Sequence, residues 1–103
     1  MKPVIHVMQL AEDTSVAGRY QGGVLRRAVA EALSEHPEVI VDFSGIEMVT
    51  QSAADEFVGR IMRHDESMLD RIHFRNCAES VREMIQWAAD NADSVPHRQH
   101  AFA

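Results

Sequence analysis

A short segment near the middle of the chain holds hydroxyl and acidic side chains at a spacing that suits either a helix cap or a modification site. Ser52 is followed three positions later by Asp55. Ser-x-x-Asp before an apolar periodic run resembles a capping box, which predicts a helix with Ser52 as N-cap and stabilises it by about 1 kcal/mol. The alternative is that Ser52 accepts a phosphate at a contact surface. Amides at a helix start tolerate that charge, whereas Asp55 and Glu56 would repel it.

Asp55 and Glu56 form an adjacent acidic pair, the arrangement that first suggests general acid–base catalysis. Neighbouring residues on a helix point about 100° apart, so we expect the two carboxylates not to converge on one substrate atom. Acids in a first helical turn are favoured by the helix dipole. This simpler interpretation predicts no catalytic dyad.

Other reactive side chains lack the companions that chemistry requires. Cys77 is the single cysteine, so it forms no disulfide within the chain, and no base can be assigned to it by spacing. His97 and His100 have a ligand-like spacing but no Cys or acidic neighbours. The glycines lack the context of a phosphate-binding loop: Gly18, Gly22 and Gly23. We therefore expect no metal, no cofactor and no enzymatic activity.

Composition and charge restrict the partner. The chain has 103 residues, 46 % of them hydrophobic, and a formal net charge of -6. A nucleic-acid partner requires a basic stripe, whereas the Lys and Arg residues are dispersed along the sequence and Arg26-Arg27 is their only adjacent pair. The sequence leaves a local basic face open. There is no apolar run of the length that a membrane span needs and no signal-peptide pattern. A cytoplasmic protein with a protein partner is the expectation.

The periodicity of the apolar residues predicts which elements position these side chains. Strands are expected at residues 4–8, at 39–42 as a central strand buried on both faces, and at 72–74 as an edge strand. Amphipathic helices are expected from 24, from 53 and from 81, with a loop or a short strand at 11–21 and an exposed charged stretch at 63–70. Alternating strands and helices predict an α/β fold, a small mainly parallel sheet with about three helices packed on it. We expect one domain over residues 1–93 and a polar tail over 94–103.

Asp42 ends the predicted central strand, at the edge of the sheet where α/β folds place ligand crevices. It either shapes the loop that carries Ser52 by accepting backbone N–H bonds, or serves as an ordinary turn acid with Ser44 and Gly45. The sequence leaves both interpretations open.

The stretch from Val39 to Arg60, VIVDFSGIEMVTQSAADEFVGR, resembles the core of the STAS-like domain family. Its marks are a strand ending in Asp-Phe, a Gly-Ile turn, a hydroxyl-rich loop and Ala-Asp-Glu-Phe at a helix start. Gly18-Arg19 and Phe74-Arg75-Asn76 resemble flanking parts of the family, and the likeness spans about residues 4–92.

That family is similar to the STAS domains of bacterial anti-sigma-factor antagonists, in which a kinase-like anti-sigma factor phosphorylates a serine before the helix. The resemblance places Ser52 at the phosphoacceptor and Asp42 at the strand-ending aspartate, whereas Thr50, Gln51 and Ala53 depart from the family pattern. It implies a regulatory module, in signalling or transcription regulation, that docks a kinase-like ATPase or anti-sigma factor. The implied contact residues are Arg19, Asp42, Thr50, Gln51, Ala53, Asp55 and Glu56.

The second hypothesis is a structural, self-associating domain without a phospho-switch. A homodimer would form through the apolar face of the third helix, at Met84, Trp87 and Ala88, or through the edge strand at 72–74. In that case Ser52 is only a cap.

Overall fold

The computed structural model describes residues 1–92. Five strands lie within these residues: β1 (Val4–His6), β2 (Ser15–Val16), β3 (Val39–Asp42), β4 (Met48–Val49) and β5 (Ile72–Arg75). The helices are α1 (Val7–Ala11), α2 (Gly18–Glu35), α3 (Gln51–Ala54), α4 (Arg60–Asp65) and α5 (Glu79–Asp90). A π-helical segment (Asp55–Gly59) joins α3 to α4, so residues 51–65 form one continuous helical rod, and a 3₁₀ segment (Glu66–Arg71) follows it.

The strands pair in parallel in two sheets. The larger has the order β1-β3-β5, in which Val41 of β3 lies opposite Ile5 and Phe74. The smaller joins β2 to β4, with Val16 opposite Val49. The predicted α/β fold, with β3 at the centre and β5 at an edge, is confirmed.

The core lies between the larger sheet and three helical elements. Val39 and Val41 are fully buried, whereas Ile40 is only half-buried, so the prediction that the central strand is buried on both faces was too strong. The rod of residues 51–65 packs between α2 and α5. Each of these two helices turns its predicted apolar stripe inward, namely Leu25, Val29 and Leu33 on α2 and Val81, Ile85 and Ala88 on α5.

Three local predictions were wrong. The first strand ends at His6, and residues 7–11 turn into the short helix α1, which carries buried Val7 into the core. In the stretch 11–21 the short strand exists as β2, but α2 begins at Gly18, where the Gln21 side chain accepts the amide of Ala17 at 2.7 Å. The charged stretch 63–70 is helical at its start, and the Arg63 side chain is only 7 % exposed.

No helix among residues 1–92 is long and apolar enough to cross a membrane. The predicted tail, residues 94–103, and with it the His97 and His100 pair, lies outside the described residues.

Candidate functional site

Thr50, rather than Ser52, is the N-cap of the rod. Its backbone is extended, its amide donates to Val16 at 2.9 Å, and its Oγ1 accepts from the amides of Gly18 at 3.0 Å and Ala53 at 3.3 Å. The prediction that Ser52 is the cap was therefore wrong. The reason is that the pairing of β4 with β2 keeps the backbone extended as far as Thr50, whose amide still donates to Val16, so the helix begins at Gln51.

Ser52 lies within the first turn of the rod and is half-buried. The sole hydrogen bond of its Oγ among the described residues is a long contact of 3.4 Å with Thr50 Oγ1. The helix start does not depend on this hydroxyl, because Thr50 already satisfies the amide of Ala53. Ser52 is thus left with a hydroxyl that has no assigned structural task.

The neighbours of Ser52 differ sharply in exposure. Gln51 is exposed, whereas Ala53 is 1 % exposed and packs against α2 at Gly22. A Cβ at Gly22 would collide with the carbonyl oxygen of Ala53, so only glycine permits the two backbones to approach this closely. Gln51 can meet a partner directly, and Ala53 fixes the position of the rod on α2.

Asp55 is a buried carboxylate held between two guanidinium groups. Arg63 Nη1 donates to its Oδ1 at 2.8 Å, and Arg19 Nη1 donates to its Oδ2 at 2.9 Å. Burial raises the pKa of Asp55, but the hydrogen bonds from Arg63 and Arg19 outweigh this and hold the pKa below its usual value. The residue is therefore ionised at neutral pH.

Glu56 is bound by three arginines. Its carboxylate lies 3.2 Å from Arg19, 3.4 Å from Arg26 and 3.1 Å from Arg60. We expected the carboxylates of Asp55 and Glu56 not to converge on one atom. Both accept a hydrogen bond from the same nitrogen, Arg19 Nη1, so this expectation was wrong. The hydrogen bond with Asp55 is the main reason that the pKa of Arg19 is raised.

Around these ion pairs runs a groove between α2 and the rod, with a volume of about 940 Å³. We call it the arginine groove. It is lined by Arg19, Arg26, Ala30, Asp55, Glu56, Arg60, Ile61, Arg63, His64 and Met68.

Asp42 belongs to a different place, the carboxyl edge of the larger sheet. Its Oδ1 accepts from the amide of Ser44 at 2.9 Å, from the Ser44 hydroxyl at 2.7 Å and from Asn76 at 3.1 Å, and its Oδ2 accepts from Arg75 at 3.1 Å. The backbone bond from Ser44 is the largest cause of its strongly lowered pKa. The interpretation of Asp42 as a turn acid is confirmed, and none of its hydrogen-bond partners belongs to residues 50–56.

Three arginines of the arginine groove were missed from the sequence, namely Arg26, Arg60 and Arg63. Arg19 and Arg26 are seven positions apart, two helical turns, which places both on one face of a helix. That signal was hidden because the start of α2 was predicted at residue 24, six residues too late. Arg60 follows Glu56 at i+4, a standard helical ion pair that could have been recognised.

Cys77, a further candidate from the sequence, lies outside the arginine groove. Cys77 is half-buried, and burial raises the pKa of its thiol. Within residues 1–92 no group of three His, Cys, Asp or Glu side chains is placed to hold a metal ion.

Comparison with known protein families identifies the family of this chain. The profile of a STAS-like domain of unknown function (DUF4325) matches residues 21–82, which include β3, β5 and the rod. No curated protein and no solved structure matches the chain. With more than half of its length covered by that profile, the chain belongs to the STAS-like domain family.

Proposed function

We propose that this domain is a regulatory protein-binding module that docks a kinase-like ATPase or anti-sigma factor through residues 50–56, with Ser52 as the phosphoacceptor. The observation that carries the proposal is the division of tasks between two hydroxyls. Thr50 caps the rod, and Ser52 lies half-buried in its first turn. Ser52 is thus available for chemistry without loss of the helix start.

Exposed apolar side chains near this hydroxyl support a docking surface. Tyr20 is 79 % exposed in the first turn of α2, whose Gly18 donates to Thr50. Met48 is 47 % exposed on β4, two residues before Thr50. Aromatic and Met side chains are enriched at protein interfaces, so both suit the centre of a contact.

The charge around Ser52 also favours the proposal. Taken alone, Asp55 and Glu56 would repel a phosphate on Ser52. In the structure four arginines neutralise and outnumber these two carboxylates. A phosphoserine of about -1.5 to -2 charge would therefore meet compensated acids within the domain, whereas it would still change the charge presented to a docked partner.

The direct test is phosphorylation in vitro. The full chain is incubated with ATP and each kinase-like ATPase of the source cells, and the modified site is identified by mass spectrometry. We expect one added phosphate on Ser52, lost in Ser52→Ala and retained in the control Ser34→Ala, an exposed serine near the end of α2. An unmodified Ser52, together with a Ser52→Asp variant that binds such an ATPase as the wild type does, would refute the switch.

Self-association is the second candidate, favoured by the edge position of β5 in the larger sheet. The alternative surface on α5 is less suitable, because Ala88 is buried and Met84 and Trp87 pack against the core. Light scattering over a range of concentrations distinguishes the two. A dimer that a charge change at the exposed β5 residue His73, His73→Lys, dissociates supports association through β5, and a strictly monomeric chain rejects it.

A further inference from the structure

The arginine groove carries more positive than negative charge in a chain that is acidic overall. Four arginines line it against two carboxylates, whereas the chain as a whole has a formal net charge of -6. A concave site lined by one sign of charge concentrates ligands of the opposite sign. The groove therefore favours an anion, although most of the protein surface repels one.

A buried donor in the groove lacks an acceptor. The Arg63 side chain is 7 % exposed, and its Nε has no hydrogen-bond partner among residues 1–92. Asp55 Oδ1 is already engaged by Nη1 of the same guanidinium. The Arg63 guanidinium therefore lines the groove with hydrogen-bonding capacity that Asp55 does not use.

The two arginines at the rim have donors to spare. Arg19 and Arg60 each use a single nitrogen, Nη1, in their side-chain hydrogen bonds to described residues, and their side chains are 59 % and 52 % exposed. A guanidinium presents five N–H groups in a fixed plane that matches phosphate oxygens. Asp55 and Glu56 hold these guanidinium groups in place and leave their outer edges unoccupied.

We propose that the arginine groove binds a small organic phosphate. The phosphate accepts from the exposed outer edges of Arg19 and Arg60, next to Arg63. The organic part covers the apolar lining, namely Ala30, Ile61 and Met68. The volume of about 940 Å³ lies in the range of small-molecule sites. This binding does not require the docking proposed above, and either can fail alone.

The test uses the full chain and phenyl phosphate as the probe, with phenol and inorganic phosphate as the two halves of that molecule. Isothermal titration calorimetry at low ionic strength should give saturable binding of phenyl phosphate with a Kd below about 1 mM, and weaker binding of either half. In a nitrogen-15 NMR titration, the Nε–H resonance of Arg63 should shift with the same Kd.

Variants locate the site. Arg19→Gln with Arg60→Gln removes two rim charges and should weaken binding at least about tenfold, since a hydrogen bond to a charged group contributes about 1.5 to 3 kcal/mol. Arg27→Gln, an exposed arginine on the same helix but outside the groove lining, should leave the Kd unchanged. Near-wild-type circular dichroism of both variants separates lost binding from lost folding.

Three results would overturn the proposal. The first is the absence of saturable binding of phenyl phosphate up to about 10 mM. The second is an unchanged Kd in the double variant Arg19→Gln with Arg60→Gln. The third is an Arg63 Nε–H resonance that does not shift while phenyl phosphate saturates the protein. Binding of inorganic phosphate as tight as that of phenyl phosphate would remove the role assigned to the apolar lining.

Discussion

Asp42 and Asp55 are both buried aspartates of one small domain, yet different kinds of group satisfy them. Asp42 ends β3 and takes most of its hydrogen bonds from neutral groups, the amide and hydroxyl of Ser44 and the amide of Asn76. Asp55 lies within the rod and is satisfied by the guanidinium groups of Arg19 and Arg63. The first arrangement closes a turn, and the second assembles charge.

This difference determines where the fold carries surplus positive charge. At the carboxyl edge of the sheet Asp42 pairs with one arginine, the exposed Arg75, so this ion pair carries no surplus positive charge. The arginines around Asp55 and Glu56 outnumber the acids, so the same helices that form the core also form an anion-attracting groove. The rod that carries Ser52 and its groove with α2, rather than the sheet edge at Asp42, are therefore the region to examine for function.

The largest effect is expected from Asp55→Ala. It leaves the Arg63 charge buried without its carboxylate and should lower the free energy of unfolding by about 3 kcal/mol or more, measured by urea denaturation. The double variant Asp55→Leu with Arg63→Met removes both charges and should recover most of that loss. The control Asp70→Ala, at an exposed position, should change the stability by less than about 0.5 kcal/mol. Equal stability of Asp55→Ala and the control would contradict a buried ion pair.

Adjacent glycines of α2 offer a matched test of the contact between α2 and the rod. Gly22→Ala places a Cβ against the carbonyl oxygen of Ala53, whereas a Cβ at Gly23 meets the flexible end of Arg27 at 3.2 Å. We expect Gly22→Ala to lose about 2 kcal/mol through overpacking. Gly23→Ala should be neutral or gain up to about 1 kcal/mol from helix propensity. Thermal unfolding compares the two variants, and similar changes in their stability would contradict the close approach of Gly22 to the Ala53 backbone.

Asp42→Asn tests the sheet edge and should lose about 1.5 kcal/mol at neutral pH, because asparagine keeps one acceptor oxygen but not the charge. The pKa of Asp42 is lower in the folded than in the unfolded chain. The unfolded state therefore binds more protons between those two pKa values, and stability falls as the pH drops below about 4. In Asp42→Asn this acid-side slope should be shallower, since Asp55 and the other acids still contribute. Parallel slopes for the two proteins would contradict the assignment.

The smallest expected effect separates two neighbouring hydroxyls. Thr50→Ala removes the cap and should lower the free energy of unfolding by about 1 kcal/mol. Ser52→Ala should change it by less than about 0.5 kcal/mol. The reverse order in chemical denaturation would return the cap to Ser52 and remove the main support for its role as phosphoacceptor.

Much of the fold was predictable because local patterns and burial agree. The continuous run at 39–41 predicted β3, and the stripes of α2 and α5 followed from helical spacing. Predictions failed where tertiary contacts decide the outcome. The helix α2 begins at Gly18 because the Gln21 side chain accepts the amide of Ala17. Thr50 becomes the N-cap of the rod because β4 pairs with β2.

The candidate site was predictable in part, for a similar reason. The resemblance singled out Ser52, Asp55, Glu56 and Arg19, which the structure places on the rod and the facing end of α2. It also grouped Asp42 with them, although that residue lies at the sheet edge with other partners. Contacts such as Arg63 to Asp55 depend on the path of the π-helical segment, which periodicity alone does not reveal.

The proposed docking through residues 50–56 is tested most directly by site-specific photocrosslinking in the source cells. A photoactivatable residue replaces exposed Gln51 in one strain and, as a control, exposed Gln86 on α5 in another. The account predicts that position 51, and not position 86, captures a kinase-like ATPase or anti-sigma factor, and that adding Ser52→Asp weakens the capture. Absence of such a protein at position 51, or equal capture at both positions, would contradict it.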